Sequence, residues 1–309
     1  MANFIHKPVL LVEVMEALRP RAGGRYVDGT LGGGGHAEAI LGASRPTGWL
    51  FGCDRDGAAV EATRRRLEPF AGRFELRRGN FSQLAEWVEP GSCDGALLDL
   101  GVSSPQVDQA ERGFSFQQDG PLDMRMDTRQ ALTAAEVVNG WSEEELARIF
   151  WDLGGEPQAR RVARAIGQQR PMRRFETTGQ LAGWLEQLLP RGGKKRHPAT
   201  RVFQALRMAV NDERRSLRSG LAAALSRLHP GGRLAVITFH SLEDRLVKEF
   251  GREKARGYTF EGEVDVPELR QPRAPEIRWV ERKALQPTAE EVAANPRARS
   301  AQLRVMEKI

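Results

Sequence analysis

Four consecutive glycines, Gly32 to Gly35, lie between a short apolar strand and a helix that begins near His36. The strand starts at Arg25 and ends in an acidic residue, Asp28. Because glycine has no Cβ, the backbone of such a turn can approach a ligand closely. The free N–H groups at the start of the helix would face that ligand together with the Asp28 carboxylate. The stretch therefore predicts a strand, turn and helix that offer hydrogen-bond donors and a negative charge to one ligand.

Two ligand classes use a turn of this kind. From Gly32 the residues read Gly-x-Gly-x-x-Ala, which fits the dinucleotide fingerprint, and Asp54 follows Gly34 by about 20 residues, where a ribose-binding acid is expected. Both features favour an adenosine-containing ligand. An acid at the tip of the first strand repels a pyrophosphate but suits an ammonium group, so Asp28 favours S-adenosylmethionine. An NAD-dependent oxidoreductase is the alternative, and a glycine-rich surface loop without a ligand is the minority interpretation.

Strands and helices alternate through the first third of the chain. Further strands are predicted at Trp49–Asp54, Phe74–Arg77 and Asp94–Leu100, with a helix at Ala58–Leu67 between the first two. Alternation of this kind predicts right-handed crossovers and a parallel sheet with helices on both faces. The predicted fold class is α/β, a Rossmann-like methyltransferase fold.

The pattern changes from about Gly113 to Ala199, where helix starts recur without strand patterns. Capping-box sequences begin at Thr133 and Ser142, and further helices are predicted downstream. The alternating pattern then resumes with one long helix from Thr200 to about Leu228. We therefore predict a methyltransferase domain of residues 1–112 and 200–309 with an inserted helical domain, 113–199.

Composition narrows the function classes. The chain has two cysteines, Cys53 and Cys93, which lack metal-ligand spacing and are expected to be buried thiols; no metal site is predicted. No apolar run is long enough to cross a membrane, and the start of the chain does not resemble a secretory signal, so the cytoplasm is the expected location. The net charge of +6 arises from 47 basic residues, mostly arginine, which suits phosphate recognition.

Polar or glycine-rich residues follow four of the predicted strands. In an open parallel sheet the ligand lies beyond the carboxyl ends of the strands. Asp28 with its glycines is the first such exit, and Asp54 can accept both ribose hydroxyls at the second. Phe81 offers a ring to an adenine face at the third, and Asp99 begins the fourth, Asp-Leu-Gly-Val-Ser-Ser.

Several longer motifs resemble those of one family, the MraW (RsmH) family of small-subunit ribosomal RNA cytosine-N4 methyltransferases. The resemblance runs nearly end to end, and the motifs lie in the family's order. They include Asp28-Gly-Thr-Leu-Gly-Gly-Gly-Gly-His36, Asp99-Leu-Gly-Val-Ser-Ser-Pro-Gln106, Glu111-Arg-Gly-Phe-Ser-Phe116, Gly120-Pro-Leu-Asp-Met-Arg-Met-Asp127, His197-Pro-Ala-Thr-Arg-Val-Phe-Gln-Ala-Leu-Arg207, Phe239-His-Ser-Leu-Glu-Asp244 and Asn295-Pro-Arg-Ala-Arg-Ser300.

The resemblance implies transfer of a methyl group from S-adenosylmethionine to the N4 amino group of a cytidine in the decoding region of 16S rRNA, and the expected substrate is this RNA within the small ribosomal subunit. With this substrate, the inserted helical domain, 113–199, is predicted to recognise the RNA. The resemblance also assigns cofactor-binding roles to the residues of this chain that match the family in residue type. These are Gly34, Gly35, His36, Asp54, Phe81, Asp99 and Gln106, to which the pocket argument adds Asp28 and Gly32.

The catalytic assignment is a hypothesis. Many amino-methyltransferases place an Asp/Asn-Pro-Pro-aromatic turn after the fourth strand, but here the turn reads Asp99-Leu-Gly-Val. We therefore expect Asp99, Ser103 or Ser104 to hold the amino group, unless Asp99 serves only the methyl donor. The missing aromatic leaves the base-stacking partner open among three rings, those of Phe114, Phe116 and Phe239.

Basic residues in two places are the candidates for phosphate contacts. They are Lys194, Lys195, Arg196, His197, Arg201 and Arg207 near the end of the predicted insertion, and Arg297 and Arg299 near the carboxyl end. Solvated surface charge is the alternative for each. Besides the oxidoreductase, a non-catalytic RNA-binding protein is the remaining alternative function, which the presence of every cofactor-type residue argues against.

Overall fold

The computed structural model describes residues 8–189, 197–260 and 265–309. They form two compact units. The sheet unit consists of residues up to Gly101 together with Arg215–Ile309, and the helical unit of Val102–Arg214. The segment predicted as an insertion, 113–199, lies inside the helical unit, which extends beyond it on both sides.

All strands of the described residues belong to the sheet unit. In chain order they are β1 (Arg25–Asp28), β2 (Trp49–Asp54), β3 (Phe74–Arg78), β4 (Cys93–Asp99), β5 (Leu228–Thr238), β6 (Tyr258–Phe260), β7 (Arg270–Pro272), β8 (Ile277–Trp279) and β9 (Gln302–Lys308). The main sheet has seven strands in the order β3-β2-β1-β4-β5-β9-β8, and β6 pairs with β7 separately. Strands β1 to β5 are parallel, whereas β9 is antiparallel to both of its neighbours.

Both units contain helices. In chain order they are α1 (Leu11–Leu18), α2 (Gly35–Ala43), α3 (Gly57–Arg66), α4 (Ser104–Asp108), α5 (Ala134–Gly140), α6 (Glu143–Asp152), α7 (Ala159–Gln169), α8 (Thr178–Leu188), α9 (Ala199–Val210), α10 (Glu213–Arg227), α11 (Ser241–Lys254) and α12 (Ala289–Ala294).

The central strands are apolar on both faces, so each face buries its own core. On β1, Tyr26 packs with residues of α1, α2 and α3, while the next residue, Val27, packs with α10 and α11 on the other face. Successive side chains of a strand point to opposite faces, and a parallel strand covered on both sides is apolar throughout. This arrangement confirms the predicted α/β fold with helices on both faces of the sheet.

The helical unit has a core of its own, formed by α5 to α9 and the loop before them. Two of its helices begin at predicted capping boxes. The hydroxyl of Thr133 accepts a hydrogen bond from the N–H of Glu136 at 3.2 Å, and the Glu136 carboxylate accepts one from the Thr133 N–H at 2.7 Å. Ser142 and Glu145 form the same reciprocal pair, which fixes the first turn of α6.

The prediction of one long helix from Thr200 to about Leu228 is wrong, because α9 and α10 are separate helices. Asp212 has a φ of 46°, in the left-handed region that interrupts a helix. The side chain of Asn211, just before it, bonds the carbonyl of Met124 at 2.8 Å and the N–H of Met126 at 2.8 Å. These bonds hold the break in place, since Asn competes well with helical hydrogen bonds.

Cys53 and Cys93 are free and buried, as predicted. The segment Gly251–Arg273 contains the end of α11 and the β6–β7 pair. Among the described residues, no helix has both the length and the apolar character that a membrane span requires, and no group of three or more metal-ligating side chains occurs.

Candidate active site

Two acidic residues end the two strands at which the order of the sheet reverses. The chain builds β1, β2 and β3 outward in one direction and then returns to the other side of β1 with β4. Asp28 is the last residue of β1, and Asp99 is the last residue of the adjacent β4. Ligands of open α/β sheets bind at this topological switch point, beyond the carboxyl ends of the strands.

The glycine turn after β1 takes the form that its sequence predicts. Gly32 and Gly34 have φ angles of 50° and 74°, a region in which a side chain is strained. A Cβ on Gly34 would also lie 2.9 Å from the Thr63 hydroxyl, and one on Gly35 would lie 3.0 Å from the Pro8 ring. Helix α2 begins at Gly35, so the first N–H groups of this helix, which lack partners within it, are next to the turn.

Asp28 is buried with half of its carboxylate unsatisfied. Its side chain is 1% exposed, Oδ1 accepts a hydrogen bond from the Thr30 N–H at 3.1 Å, and Oδ2 has no partner among the described residues. Burial raises the pKa of Asp28 to about 7, against the lowering effect of the Thr30 hydrogen bond. A buried carboxylate oxygen without a donor is costly, so this oxygen is expected to meet a ligand donor.

Asp99, at the end of β4, also has a carboxylate oxygen without a donor in the described part of the chain, although its side chain is 16% exposed. Its Oδ1 is buried without a hydrogen-bond partner among the described residues. Burial raises the pKa of Asp99 well above its ordinary value, and the negative charges of Asp28 and Glu243 raise it further. The Asp99 backbone N–H donates to the Thr30 hydroxyl at 2.6 Å, so Thr30 ties the ends of β1 and β4 together.

His36 is a basic side chain that lies beside Asp99. Its Nε2 lies 3.0 Å from the carbonyl of Val9, which can only accept, so Nε2 carries the hydrogen. The other ring nitrogen, Nδ1, lies 3.8 Å from Asp99 Oδ2, too far for a direct hydrogen bond. The pocket thus gathers acceptor atoms, and the donor set that would satisfy them is that of an ammonium-bearing ligand. The residues present therefore fit the methionine end of S-adenosylmethionine.

Asp54 is placed to bind hydroxyl groups. It ends β2, and its two oxygens accept backbone N–H groups of Gly32 and Asp56, each at 2.9 Å. These bonds fix the carboxylate plane while each oxygen retains a lone pair for a ribose hydroxyl. Burial raises the pKa of Asp54 to about 6, an effect that the two backbone donors reduce.

Phe81 is the first residue of a short 3-10 turn, and its side chain packs closely against two glycines. A Cβ on Gly220 of α10 would lie 2.1 Å from the Phe81 ring, and one on Gly29 would lie 2.9 Å from the Phe81 Cβ. The neighbouring Asn80 amide accepts from the Ser82 N–H at 3.1 Å and donates to Ser216 at 3.0 Å. The amide is therefore engaged in the local fold, and the ring is the part of this exit that is left for an adenine.

Glu243 is the residue of this site that sequence reasoning missed. Its side chain is 4% exposed, accepts the Phe239 N–H at 2.8 Å and contributes a negative charge near Asp99. His240 is the N-cap of α11, and its Nδ1 accepts weakly from the Glu243 N–H at 3.4 Å. Its Nε2 lies 2.9 Å from a Glu243 oxygen but outside hydrogen-bond geometry, so a structural role suits His240 best. The spacing of the two residues, that of a capping box, is the pattern that could have found this pair.

Ser103, Ser104 and Gln106 lie in the helical unit, a few residues after Asp99 in the chain. Ser104 is the first residue of α4 and Ser103 its N-cap, whose N–H donates to the Gln106 side chain at 3.0 Å. These contacts account for the Ser-x-x-Gln spacing as a helix start. Contact of these three residues with donor or acceptor stays a prediction.

The three candidate stacking rings differ in their surroundings. Phe114 and Phe116 pack against the core of the helical unit, and the Phe116 ring lies 4.8 Å from that of Phe203 and 4.7 Å from that of His197, between centroids. Phe239 instead follows the last residue of β5, at the carboxyl edge of the sheet, where a Cβ on Gly101 would lie 3.5 Å from it. Phe239 therefore lies at a strand exit of the sheet unit.

The predicted phosphate contacts divide into three groups. Lys194, Lys195 and Arg196 lie outside the described residues. Arg207 makes a two-pronged ion pair with Glu213 at 2.8 Å for each contact, and His197 lies 3.5 Å from Glu186, while Arg201 is on α9. Arg297 and Arg299 lie in an exposed 3-10 turn before β9. RNA contact by these residues stays a prediction.

Comparisons with known proteins agree with this geometry. The family model described as the MraW methylase family matches residues 3–309. A protein named ribosomal RNA small subunit methyltransferase H from Syntrophotalea carbinolica is 51% identical over 99% of this chain and 98% of its own. The protein of the same name from Geobacter sulfurreducens is 52% identical over 99% of this chain and 100% of its own.

Solved structures are more distant. The structure of an rRNA methylase from Streptococcus thermophilus is 13% identical, covers 99% of both chains and has a TM-score of 0.44. The assignment therefore depends on the family match and on the curated relatives, which span the whole chain. The chain belongs to the MraW methylase family and is a methyltransferase that uses S-adenosylmethionine.

Proposed function

We propose that the protein transfers the methyl group of S-adenosylmethionine to the N4 amino group of a cytidine in the decoding region of 16S rRNA, within the small ribosomal subunit. The relatives named for the small-subunit RNA support the substrate. The observation that carries the proposal is that Asp28 and Asp99, at the switch point of the sheet, each have one buried carboxylate oxygen without a hydrogen-bond partner among the described residues.

The donor side of the reaction is assigned to the sheet unit. The cofactor supplies an electrophilic methyl group on a sulfonium, which is transferred by in-line displacement. Asp28 accepts hydrogen bonds from the ammonium of the donor, Asp54 accepts them from the ribose hydroxyls, and Phe81 packs on the adenine. The glycine turn and the first N–H groups of α2 let the backbone approach the donor closely. His36, held by its hydrogen bond to Val9, lies beside Asp99.

The acceptor side is assigned to Asp99 and the residues that follow it. The lone pair of a cytosine amino group is delocalised into the ring, so an acceptor on its hydrogens helps to localise the lone pair and takes the proton. Asp99 Oδ1 is free to accept such a hydrogen, and the raised pKa of Asp99 makes it a stronger base than an ordinary carboxylate. Ser103 and Ser104 follow it in the chain as further candidates, and Phe239 is the preferred stacking ring for the cytosine.

The test is methyl transfer to unmethylated small ribosomal subunits. The purified protein is incubated with labelled S-adenosylmethionine and the subunits, the RNA is digested, and the labelled nucleoside is identified by mass spectrometry. N4-methylcytidine at a single decoding-region position is the expected product. A labelled nucleoside of another kind, or no transfer while donor binding is intact, would contradict the proposed acceptor.

A further inference from the structure

One aromatic side chain of the helical unit is exposed without an evident structural reason. Trp151, near the end of α6, is 63% exposed and is the one aromatic residue among the large exposed hydrophobic side chains of the described residues. Its neighbour Phe150 is fully buried in the core of the unit, so α6 is already anchored without Trp151. A large apolar ring left in solvent is unfavourable, and tryptophan is enriched at contact surfaces.

Trp151 lines a groove between α6 and α7 with a cavity volume of about 830 Å³. The groove also contains Arg148 from α6 and three arginines from α7, which are Arg160, Arg161 and Arg164. Arg148 and Trp151 are three residues apart on α6, and Arg160 and Arg164 are four apart on α7, so each pair shares a helix face. We call these five residues the Trp151 groove.

The arginines of α7 are not explained by the stability of the helix. Residues 159–174 contain six arginines and no acidic residue. Arg160 and Arg161 lie in the first turn of α7, which carries no acidic residue, at the positive end of the helix dipole where cations are disfavoured. Arg161 donates to Gln158 at 2.8 Å, whereas Arg160 and Arg164 have no hydrogen bond or ion pair within the described part of the chain.

Acidic residues also line the groove, but within the described ranges they are not paired with its arginines. Glu143, Glu144 and Asp152 of α6 line it, and none of them forms an ion pair with a groove arginine among the described residues. The carboxylate of Glu143 instead lies against Gly167, where a Cβ would come within 2.4 Å of it. The α7 side of the groove is therefore basic, whereas α6 contributes the Trp151 ring, one arginine and three carboxylates, so four arginines face three acids and the groove keeps a small positive excess.

We propose that the Trp151 groove docks an unpaired segment of the RNA substrate, with a base stacked on Trp151 and backbone phosphates at Arg160 and Arg164. This inference rests on the proposed function, because it adds a second contact with the same RNA. Aromatic side chains bind any base through its face, and arginines without protein partners are free to bind phosphates. Charge selects the occupant: an anionic polymer with planar bases satisfies both the arginines and the exposed ring, as an apolar helix would not.

The first experiment measures RNA binding by Trp151→Ala and Trp151→Phe. Fluorescence anisotropy with a labelled single-stranded oligocytidine, and sedimentation with purified small ribosomal subunits, give the dissociation constants in the presence of S-adenosylhomocysteine. Loss of one stacked base predicts a dissociation constant raised about 5- to 150-fold in Trp151→Ala, and Trp151→Phe recovers most of the loss. Because the ring is exposed, both variants are expected to fold, and Met172→Ala, at another exposed hydrophobic residue of the unit, is the control.

The second experiment tests the phosphate contacts. Arg160→Gln with Arg164→Gln should flatten the dependence of log K on log salt by about 1.4, since each single-strand phosphate contact contributes about 0.7. The matched control is Arg64→Gln with Arg65→Gln, two exposed arginines of α3 in the sheet unit. An unchanged slope in the groove variant, or the same change in the control, would overturn the proposal.

Kinetics separate this inference from the proposed function. With small subunits as substrate, Trp151→Ala should raise KM for the subunits while KM for S-adenosylmethionine stays unchanged. If the wild-type protein methylates subunits and Trp151→Ala does so with the same KM, the docking site is wrong and the proposed function stands. If the wild type transfers no methyl group but Trp151→Ala weakens oligocytidine binding, the docking site stands and the proposed function is wrong. Competition by polyglutamate that equals that of oligocytidine would identify an acidic protein segment as the occupant and overturn the RNA assignment.

Discussion

Replacing the Asp28 carboxylate by an amide should make the donor-free protein more stable at alkaline pH. Asn at this position keeps an oxygen that can accept the Thr30 N–H but carries no charge. Burial raises the pKa of Asp28 from 3.8 to about 7, a difference of about 3 units, which corresponds to about 4 kcal/mol of unfavourable free energy for the ionised form. Asp28→Asn removes that cost.

The direction of the pH dependence of stability follows from the number of protons that the folded and unfolded states bind. The pKa of Asp28 is higher in the folded than in the unfolded chain, so the folded state binds more protons between about pH 4 and 7, and stability falls as the pH rises through that window. Above pH 7 the whole cost is present. We therefore expect Asp28→Asn to exceed the wild type by up to about 4 kcal/mol at pH 8 and to match it near pH 4.

The assay is urea denaturation without donor at pH 5, 6.5 and 8, together with the shift in Tm that saturating S-adenosylmethionine produces. Donor binding should stabilise the wild type more than Asp28→Asn, because the ammonium offsets the cost of the buried charge. The control is Asp94→Asn, at the opposite end of the sheet, where hydrogen bonds from Arg25 and Arg21 hold the pKa of the carboxyl below its usual value despite partial burial. That variant should lose stability and keep donor affinity. An Asp28→Asn protein that has the wild-type pH dependence would refute the reasoning.

Three further variants test other parts of the site. Asp99→Asn should bind the donor with an affinity within a few-fold of the wild type, but its kcat should be about 10² to 10⁴ lower, because a positioned proton acceptor is lost. Equal losses in donor affinity and kcat would instead assign Asp99 to donor binding. Gly220→Ala should lower the free energy of unfolding by about 1 to 3 kcal/mol and weaken donor binding, because the new Cβ would lie 2.1 Å from the Phe81 ring. The control is Gly42→Ala, where a Cβ meets nothing within 4 Å, and this variant should be neutral or stabilising. Equal effects of the two variants in urea denaturation and donor titration would contradict this prediction. Arg207→Gln should cost about 1 to 3 kcal/mol because it leaves Glu213 without its partner, and an RNA affinity that falls without any change in stability would show that Arg207 contacts RNA directly.

Sequence patterns predicted those features of the site that depend on residues close together in the chain. The strand ending at Asp28, the glycine turn and Asp54, the proposed ribose-binding acid, are each encoded within a few residues, and all three lie at the carboxyl edge of the sheet. The capping boxes of the helical unit were predictable for the same reason, since each is a reciprocal contact between residues three apart. Features of this range need no knowledge of the tertiary fold.

Long-range contacts could not be predicted in this way. Gly220 lies far from Phe81 in the chain, yet it provides the space that the ring occupies. Glu243 contributes charge near Asp99 only because β4 and β5 are neighbours in the sheet. The break between α9 and α10 depends on bonds from Asn211 to the loop at Met124, which a helical periodicity does not reveal. In each case the decisive partner is distant in sequence, and topology brings it close.

The central claim is that Asp28 meets the ammonium of the methyl donor, and the most direct test is the proton linkage of donor binding. Isothermal titration of the wild-type protein with S-adenosylmethionine at pH 6.5, in buffers of different ionisation enthalpy, gives the number of protons exchanged on binding. Because the pKa of Asp28 is raised to about 7 in the donor-free protein and a bound cation lowers it, we predict net proton release that is largely lost in Asp28→Asn. Proton exchange that is the same in the wild type and in Asp28→Asn would contradict the assignment.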